Sequence, residues 1–125
     1  MEMRQFKSNI QLREISQLVI MYKSAHSGNA PTNLSELVPN HRTDLISLFH
    51  APNQLMAQVP THLSTNKTAL NQTSDYCVSL DVNTGIVAYE RPELWSDGSV
   101  AVCYTNLDVK RMKISEFNAP QKKLP

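Results

Sequence analysis

Three segments in the last third of the chain decide the fold: Val87-Ala-Tyr-Glu-Arg-Pro-Glu93, Asp97-Gly-Ser-Val-Ala-Val-Cys-Tyr104 and Leu107-Asp-Val-Lys-Arg-Met-Lys-Ile-Ser-Glu-Phe117. Apolar and polar residues alternate in them, which is typical of strands with one buried face. Tyr76-Cys-Val-Ser-Leu80 alternates in the same way, and Gly85 suits a hairpin loop that needs a positive φ. The pattern predicts a three- to four-stranded antiparallel sheet with a terminal helical turn over residues 76–118.

The first part of the chain predicts one long amphipathic helix over residues 1–27, because nothing from Arg4 to His26 breaks a helix. Ser27-Gly28-Asn29 ends it. An apolar stripe recurs at three- and four-residue spacing and consists of Leu12, Ile15, Leu18, Val19 and Tyr22. One helix cannot bury such a stripe alone, so we expect it to pack on the sheet. The prediction is a single α+β domain.

Met3, Phe6 and Ile10 also follow helical spacing, but they fall on a different side of the helix from the stripe around Ile15. The N-terminal half of the helix is therefore expected to pack on something other than its own domain. These three residues are candidates for an interface with a partner.

The connection over residues 28–75 contains two predicted short helices, one through Leu37 and Val38 and one over Thr43–His50. From Asn53 to Asp75 the periodicity disappears, which predicts a surface loop that could serve either recognition or simple connection. Trp95, in a loop between strands, is either an interface anchor or a lid over one end of the sheet. The tail over residues 119–125 is expected to be frayed.

The composition of the chain limits the classes of partner that it could bind. The chain has 125 residues with 41% hydrophobic residues, 18% charged residues and a formal charge of +1, which fits one globular domain and predicts no nucleic-acid partner. Lys110-Arg-Met-Lys113 is the nearest approach to a basic cluster, and we interpret it as a solvated sheet edge. The longest plain apolar run is Leu18-Val-Ile-Met21, so the chain is expected to be soluble. Met1–Phe6 has no leader-like apolar region.

The residues that carry chemistry form no recognisable site. His26, His41, His50 and His62 lack metal-ligand spacing. Cys77 and Cys103 lie on predicted strands separated by a third strand, which favours two buried, inert thiols over a disulfide. The three glycines are too far apart for a phosphate-binding loop.

Carboxylates cluster loosely around one loop. Glu93 and Asp97, with Glu90 nearby, are weak Ca²⁺ candidates, and a solvated acidic loop is the plainer alternative. The sequence otherwise predicts no catalytic residue, no cofactor and no metal, and hence a protein that is not an enzyme.

Four stretches taken together resemble the pseudopilins and type IV pilin-like proteins of bacterial type II secretion. They are Asn9-Ile-Gln-Leu-Arg-Glu-Ile-Ser-Gln-Leu-Val-Ile-Met-Tyr22, Pro31-Thr-Asn-Leu-Ser-Glu-Leu-Val38, Ala88-Tyr-Glu-Arg-Pro-Glu93 and the part from Gly98 through Val109 to Phe117. Residues 51–75 lie outside the resemblance. Asn106-Leu-Asp-Val109 replaces a D-G-h-V turn of the family pattern, and the cleaved leader and the membrane-embedded half of the helix are missing.

The resemblance implies a pilin-like fold and a mechanical role. Such a subunit assembles with other pilin-like subunits or secretion-machinery proteins, contacts the membrane only through a helical segment absent from this chain, and faces the periplasm at the inner membrane. The alternative is a free-standing, cytoplasmic adaptor domain that binds a protein or peptide through the 53–75 loop or the Trp95 loop. A small Cys-dependent or metal enzyme is a third hypothesis.

Overall fold

The computed structural model describes residues 3–39, 42–51, 74–80, 85–118 and 123–124. One long helix packs on an antiparallel sheet, so the α+β prediction is confirmed. The helix and the strands have these bounds: α1 Met3–Ala25, β1 Tyr76–Ser79, β2 Ile86–Glu90, β3 Ser99–Tyr104, β4 Val109–Lys113 and β5 Lys123–Leu124. In the sheet the order is β4-β3-β2-β1-β5, with antiparallel neighbours throughout.

The fifth strand corrects the prediction of a frayed tail. At Lys123 and Leu124 the chain pairs with Ser79 and Val78 of β1. An edge strand presents unpaired backbone groups, and a returning segment of chain can pair with them. The main sheet therefore has the four predicted strands, and β5 extends its β1 edge by two residues.

Helix α1 ends as its sequence predicts. Gly28 has a φ of 86°, in the left-handed region that glycine adopts without strain, and Ser27 precedes it at 57°. The Gly28 N–H donates to the Lys23 carbonyl oxygen at 2.7 Å, so one of the last carbonyls of the helix gains a partner.

The predicted apolar stripe forms the contact between helix and sheet. Leu12, Ile15 and Val19 are each 0% exposed, and Leu18 and Tyr22 pack against the same core. The sheet contributes residues from all of its four main strands to this side, among them Tyr76, Val78, Ala88, Ala101, Cys103 and Val109. The C-terminal half of α1 is thus held by hydrophobic burial.

The connection between helix and sheet contains two 3₁₀ helices where short helices were predicted, at Leu34–Leu37 and Thr43–Phe49. Asn33 caps the first of them by accepting the Ser35 N–H at 3.0 Å. The Tyr22 hydroxyl donates to the Glu36 carboxylate at 2.9 Å and ties this helix to α1.

The two cysteines are free and buried, as predicted. Cys77 lies on β1 and Cys103 on β3, with β2 between them. Cys103 belongs to the core under α1, whereas Cys77 packs with Tyr89 and Val102 in a second apolar cluster. Burial raises the pKa of the Cys103 thiol, so the reactive thiolate is disfavoured.

The predicted 53–75 surface loop lies outside the described residues except for Ser74 and Asp75. Both are buried, at 1% and 7% exposure, so the prediction of a surface position was wrong for them. The Asp75 carboxylate accepts the Ala51 N–H at 2.7 Å, and the Asp75 N–H donates to the Phe49 carbonyl oxygen at 2.8 Å. These bonds fasten Asp75 to the end of the second 3₁₀ helix.

Replacing Asp75 by asparagine is expected to raise the free energy of unfolding at pH 7 by on the order of 1 kcal/mol. Burial raises the pKa of Asp75; Ala51, His50 and Arg91 oppose the shift only in part, and Glu90 adds to it. A raised folded-state pKa means that stability is full below the unfolded pKa and is lost as pH rises through the folded one.

The asparagine variant removes this charge and keeps an oxygen that can accept the Ala51 N–H. Urea unfolding at pH 7 and at pH 3 measures the effect, because the gain should disappear at the acid pH, where Asp75 is protonated in both states. An Asp75→Asn protein less stable than wild type at pH 7 would contradict the argument.

Candidate functional site: the N-terminal half of helix α1

The outward side of the N-terminal half of α1 is apolar. Met3, Phe6 and Ile10 are 68%, 54% and 42% exposed. At 3.6 residues per turn, Phe6 and Ile10 each lie about 160° around the axis from Ser8, which is fully buried. The predicted interface candidates therefore point away from the sheet.

The inward side of the same half is polar, and it packs on the sheet. Gln5 and Ser8 are buried, at 5% and 0% exposure, and no apolar residue of α1 before Leu12 is buried among the described positions. The prediction that this half packs elsewhere was wrong for its inward side. Hydrogen bonds replace hydrophobic contact there, and they leave the apolar side chains to face outward.

The centre of these polar contacts is an ion pair between Glu90 at the end of β2 and Arg111 in β4. Arg111 donates from Nη1 to Oε1 and from Nη2 to Oε2 of Glu90, each at 3.0 Å, in a bidentate arrangement. The Glu90 side chain is 0% exposed and that of Arg111 is 12% exposed. Glu90 Oε1 also accepts the Ala101 N–H at 2.8 Å. The carboxylate is thus buried with its charge and its hydrogen bonds matched.

Helix α1 joins the ion pair through two side chains. The Ser8 hydroxyl donates to Glu90 Oε2 and lies 2.8 Å from the Tyr76 hydroxyl. Arg111 Nη2 donates to Asn9 Oδ1 at 2.8 Å. We call the set of Ser8, Asn9, Tyr76, Glu90 and Arg111 the Glu90–Arg111 network.

Two features of the network bear on chemistry. Burial raises the pKa of the Tyr76 hydroxyl, so it stays protonated and available as a donor. The Ser8 hydroxyl is fully buried and Glu90 is paired with Arg111, so neither can reach a substrate from solvent. The arrangement links α1 to the strands of the sheet.

A second group of contacts holds the start of α1. Gln5 donates from Nε2 to Asp97 Oδ2 at 2.7 Å, and Asp97 Oδ1 accepts from the Ser99 N–H and hydroxyl at 3.0 and 2.7 Å. The hydrogen bonds from Ser99 and then Gln5 lower the pKa of Asp97.

The weak Ca²⁺ candidates are not brought together as a site. Both carboxylate oxygens of Asp97 accept hydrogen bonds from the chain itself, and Glu93 is exposed. Within the described ranges, no three His, Cys, Asp or Glu side chains are grouped so that they could hold a metal ion.

Trp95 is the one predicted interface candidate that is buried rather than exposed. It is 7% exposed, and the Arg111 guanidinium carbon lies 5.7 Å from the centre of its ring. A buried ring cannot anchor a partner at the surface, so of the two roles considered, the lid over one end of the sheet fits its position.

The inward polar side of α1 was not predicted, although the sequence contains a signal for it. Gln5 and Ser8 continue the three- and four-residue spacing of Leu12, Ile15 and Val19 toward the N-terminus. Arg111 was also misassigned: β4 is a sheet edge, as predicted, and Lys110 and Lys113 are exposed, but Arg111 faces α1 rather than solvent.

Comparison with known proteins found no relative of this chain. No protein-family model, no curated protein and no solved structure matches the chain. Among the described residues, no helix is both long enough and apolar enough to cross a membrane.

Proposed function

We propose that this protein is a pilin-like structural subunit, which works by assembly with neighbouring subunits through the outward side of the N-terminal half of α1. Met3, Phe6 and Ile10 form the contact, which we call the assembly face. The subunit has no catalytic role, and its neighbours are other pilin-like subunits or proteins of a secretion machinery.

The observation that carries the proposal is the exposure of the assembly face. Three large apolar side chains at spacings of three and four residues make the kind of seam by which helices pack on one another. Exposure of Phe6 at 54% beside Met3 at 68% leaves apolar surface that contact with a neighbour would remove from water. The polar groups behind this face are engaged within the chain, which favours assembly over catalysis.

One detail of the last hairpin also supports the pilin-like resemblance. Leu107 occupies the place of a glycine in the family pattern, and it has a φ of 69°. Glycine adopts this left-handed conformation without strain, whereas leucine rarely does. The backbone at Leu107 thus has a shape that suits glycine, the residue of the family pattern at this position. The adaptor alternative loses Trp95 as an exposed anchor, because its side chain is buried.

A cross-linking experiment tests the proposal. We expect Phe6→Cys, produced at natural level in the source cells, to form adducts with a short bismaleimide several-fold more efficiently than Ser24→Cys. Ser24 is exposed on the same side of the same helix but lies about 27 Å further along its axis, beyond the assembly face. The natural cysteines are buried and should contribute little background.

Mass spectrometry of the adducts identifies whether the neighbour is a second copy or another protein, and either result supports assembly. Equal and low adduct formation by the two variants would refute the proposed function.

A further inference from the structure

The two halves of α1 are held to the sheet by different interactions. From Leu12 onward the inward side is apolar, with Leu12, Ile15 and Val19 at 0% exposure. Before Leu12 the buried residues of the helix are Gln5 and Ser8. A polar contact contributes only while its partners stay in good geometry, whereas hydrophobic contact tolerates small shifts. The N-terminal half therefore depends on a small number of specific bonds.

The contacts of Ser8 and Asn9 converge on the Glu90–Arg111 ion pair, whereas Gln5 donates to Asp97 and Gln11 to the His50 carbonyl oxygen. Glu90 is contacted by Ser8 from α1, by the Ala101 N–H from β3 and by Arg111 from β4. Arg111 in turn donates to Asn9, one residue further along α1. The network thus connects the N-terminal half of the helix to three strands at a single buried point.

We infer that the Glu90–Arg111 network is a lock that holds residues 3–11 of α1 on the sheet as a segment able to open separately, and so fixes the direction of the assembly face. The inference rests on the proposed function for what contacts that face. Ser8 and Asn9 act as positioning residues: they touch the sheet, and through the helix they set where Phe6 and Ile10 point.

The place of Ser8 on the helix explains why its hydrogen bond affects the assembly face. Ser8 lies between Phe6 and Ile10 in sequence and on the opposite side of the helix. Rotation of this segment about its axis would break the contact of Ser8 with Glu90, and it would turn Phe6 and Ile10 toward the sheet. A bond at Ser8 is therefore well placed to fix the orientation of both apolar side chains.

Hydrogen exchange on the purified protein tests the lock without a partner. The variant Ser8→Ala removes the helix-borne donor to Glu90. Its matched control is Ser16→Ala, because Ser16 is also 0% exposed on α1 but its hydroxyl donates to the Leu12 carbonyl oxygen of the same helix, at 2.9 Å. Both substitutions delete one buried hydroxyl from one helix.

We expect Ser8→Ala to speed exchange of the amides of residues 7–11 about tenfold or more, as the loss of one buried hydrogen bond to a charged group implies. Amides of residues 16–22 should exchange as in wild type, and Ser16→Ala should not reproduce the local effect. Equal acceleration along the whole helix would mean that α1 opens as one unit, and unchanged exchange at residues 7–11 would mean that Ser8 holds nothing; either result overturns the inference.

Tyr76→Phe supplies a second variant if Ser8→Ala fails to fold. It removes the hydroxyl that lies beside Ser8 and keeps the buried ring. The same local acceleration is expected, and a loss of protection confined to β1 would overturn the inference.

The outcomes separate the two proposals. Fast local exchange in Ser8→Ala with no cross-linking of Phe6→Cys would keep the lock and refute assembly. Normal exchange with efficient cross-linking would keep assembly and refute the lock. If both hold, Ser8→Ala should lower the cross-linking of Phe6→Cys in the double variant, which a purely local stabilising role would not do.

Discussion

Ile15→Asp should unfold the protein, whereas Ile10→Asp should leave it folded. Ile15 is 0% exposed in the core between α1 and the sheet, and Ile10 is 42% exposed on the assembly face. The substitutions are chemically identical and lie five residues apart on one helix. Any difference between them therefore reports which side of the helix is buried.

The expected cost at Ile15 has two parts. Loss of a buried isoleucine costs about 2–5 kcal/mol. Burial of an ionised carboxylate without a partner costs several more, unless the group takes up a proton. The sum is comparable to the whole stability of an ordinary domain, roughly 5–15 kcal/mol. We expect circular dichroism to find Ile15→Asp largely unfolded at 25 °C and pH 7.

At Ile10 the expected change in the free energy of unfolding is within about 0.5 kcal/mol, as for most surface substitutions. Urea titration followed by circular dichroism measures it. If Ile10→Asp unfolded the domain as Ile15→Asp does, the outward side would be part of the core and the assembly face would not exist. If both variants stayed folded, Ile15 would not be buried between α1 and the sheet as described.

The parts of the fold that follow repeating patterns could be predicted from the sequence. The stripe of Leu12, Ile15 and Val19 and the alternation in the strands depend only on the periods of helix and strand. These periods recur along the whole element, so several residues carry the same signal. The free state of Cys77 and Cys103 followed from the strand order, because β2 separates their strands.

The Glu90–Arg111 network could not be predicted in the same way. Glu90 lies two residues after Ala88, and Arg111 two residues after Val109, so each charge shares a strand face with an apolar residue of the core. A lone charge at such a position normally argues for exposure, because burial without a partner is costly. Only the register of the sheet with the helix, which brings Ser8 and Arg111 to Glu90, explains how that cost is met.

Arg111→Met should lower the free energy of unfolding by about 3–5 kcal/mol, the range found when one partner of a buried ion pair is removed. Methionine retains the apolar stem but leaves the fully buried Glu90 without its cation. The remaining donors to Glu90, Ser8 and the Ala101 N–H, cannot replace a bidentate guanidinium. The contact of Arg111 with Asn9 is lost as well.

Adding Glu90→Gln to Arg111→Met provides the control. The neutral amide removes the unpaired charge while keeping an oxygen for the Ala101 N–H, so the double variant should be more stable than Arg111→Met alone. Fluorescence of Trp95, the only tryptophan, follows urea unfolding directly, because its ring is buried near Arg111. Additive effects of the two substitutions would mean that Glu90 and Arg111 do not act as a pair. If Glu90→Gln restores stability to Arg111→Met, the charge balance at Glu90 holds the N-terminal half of α1 in place, and the packing around Arg111 does not.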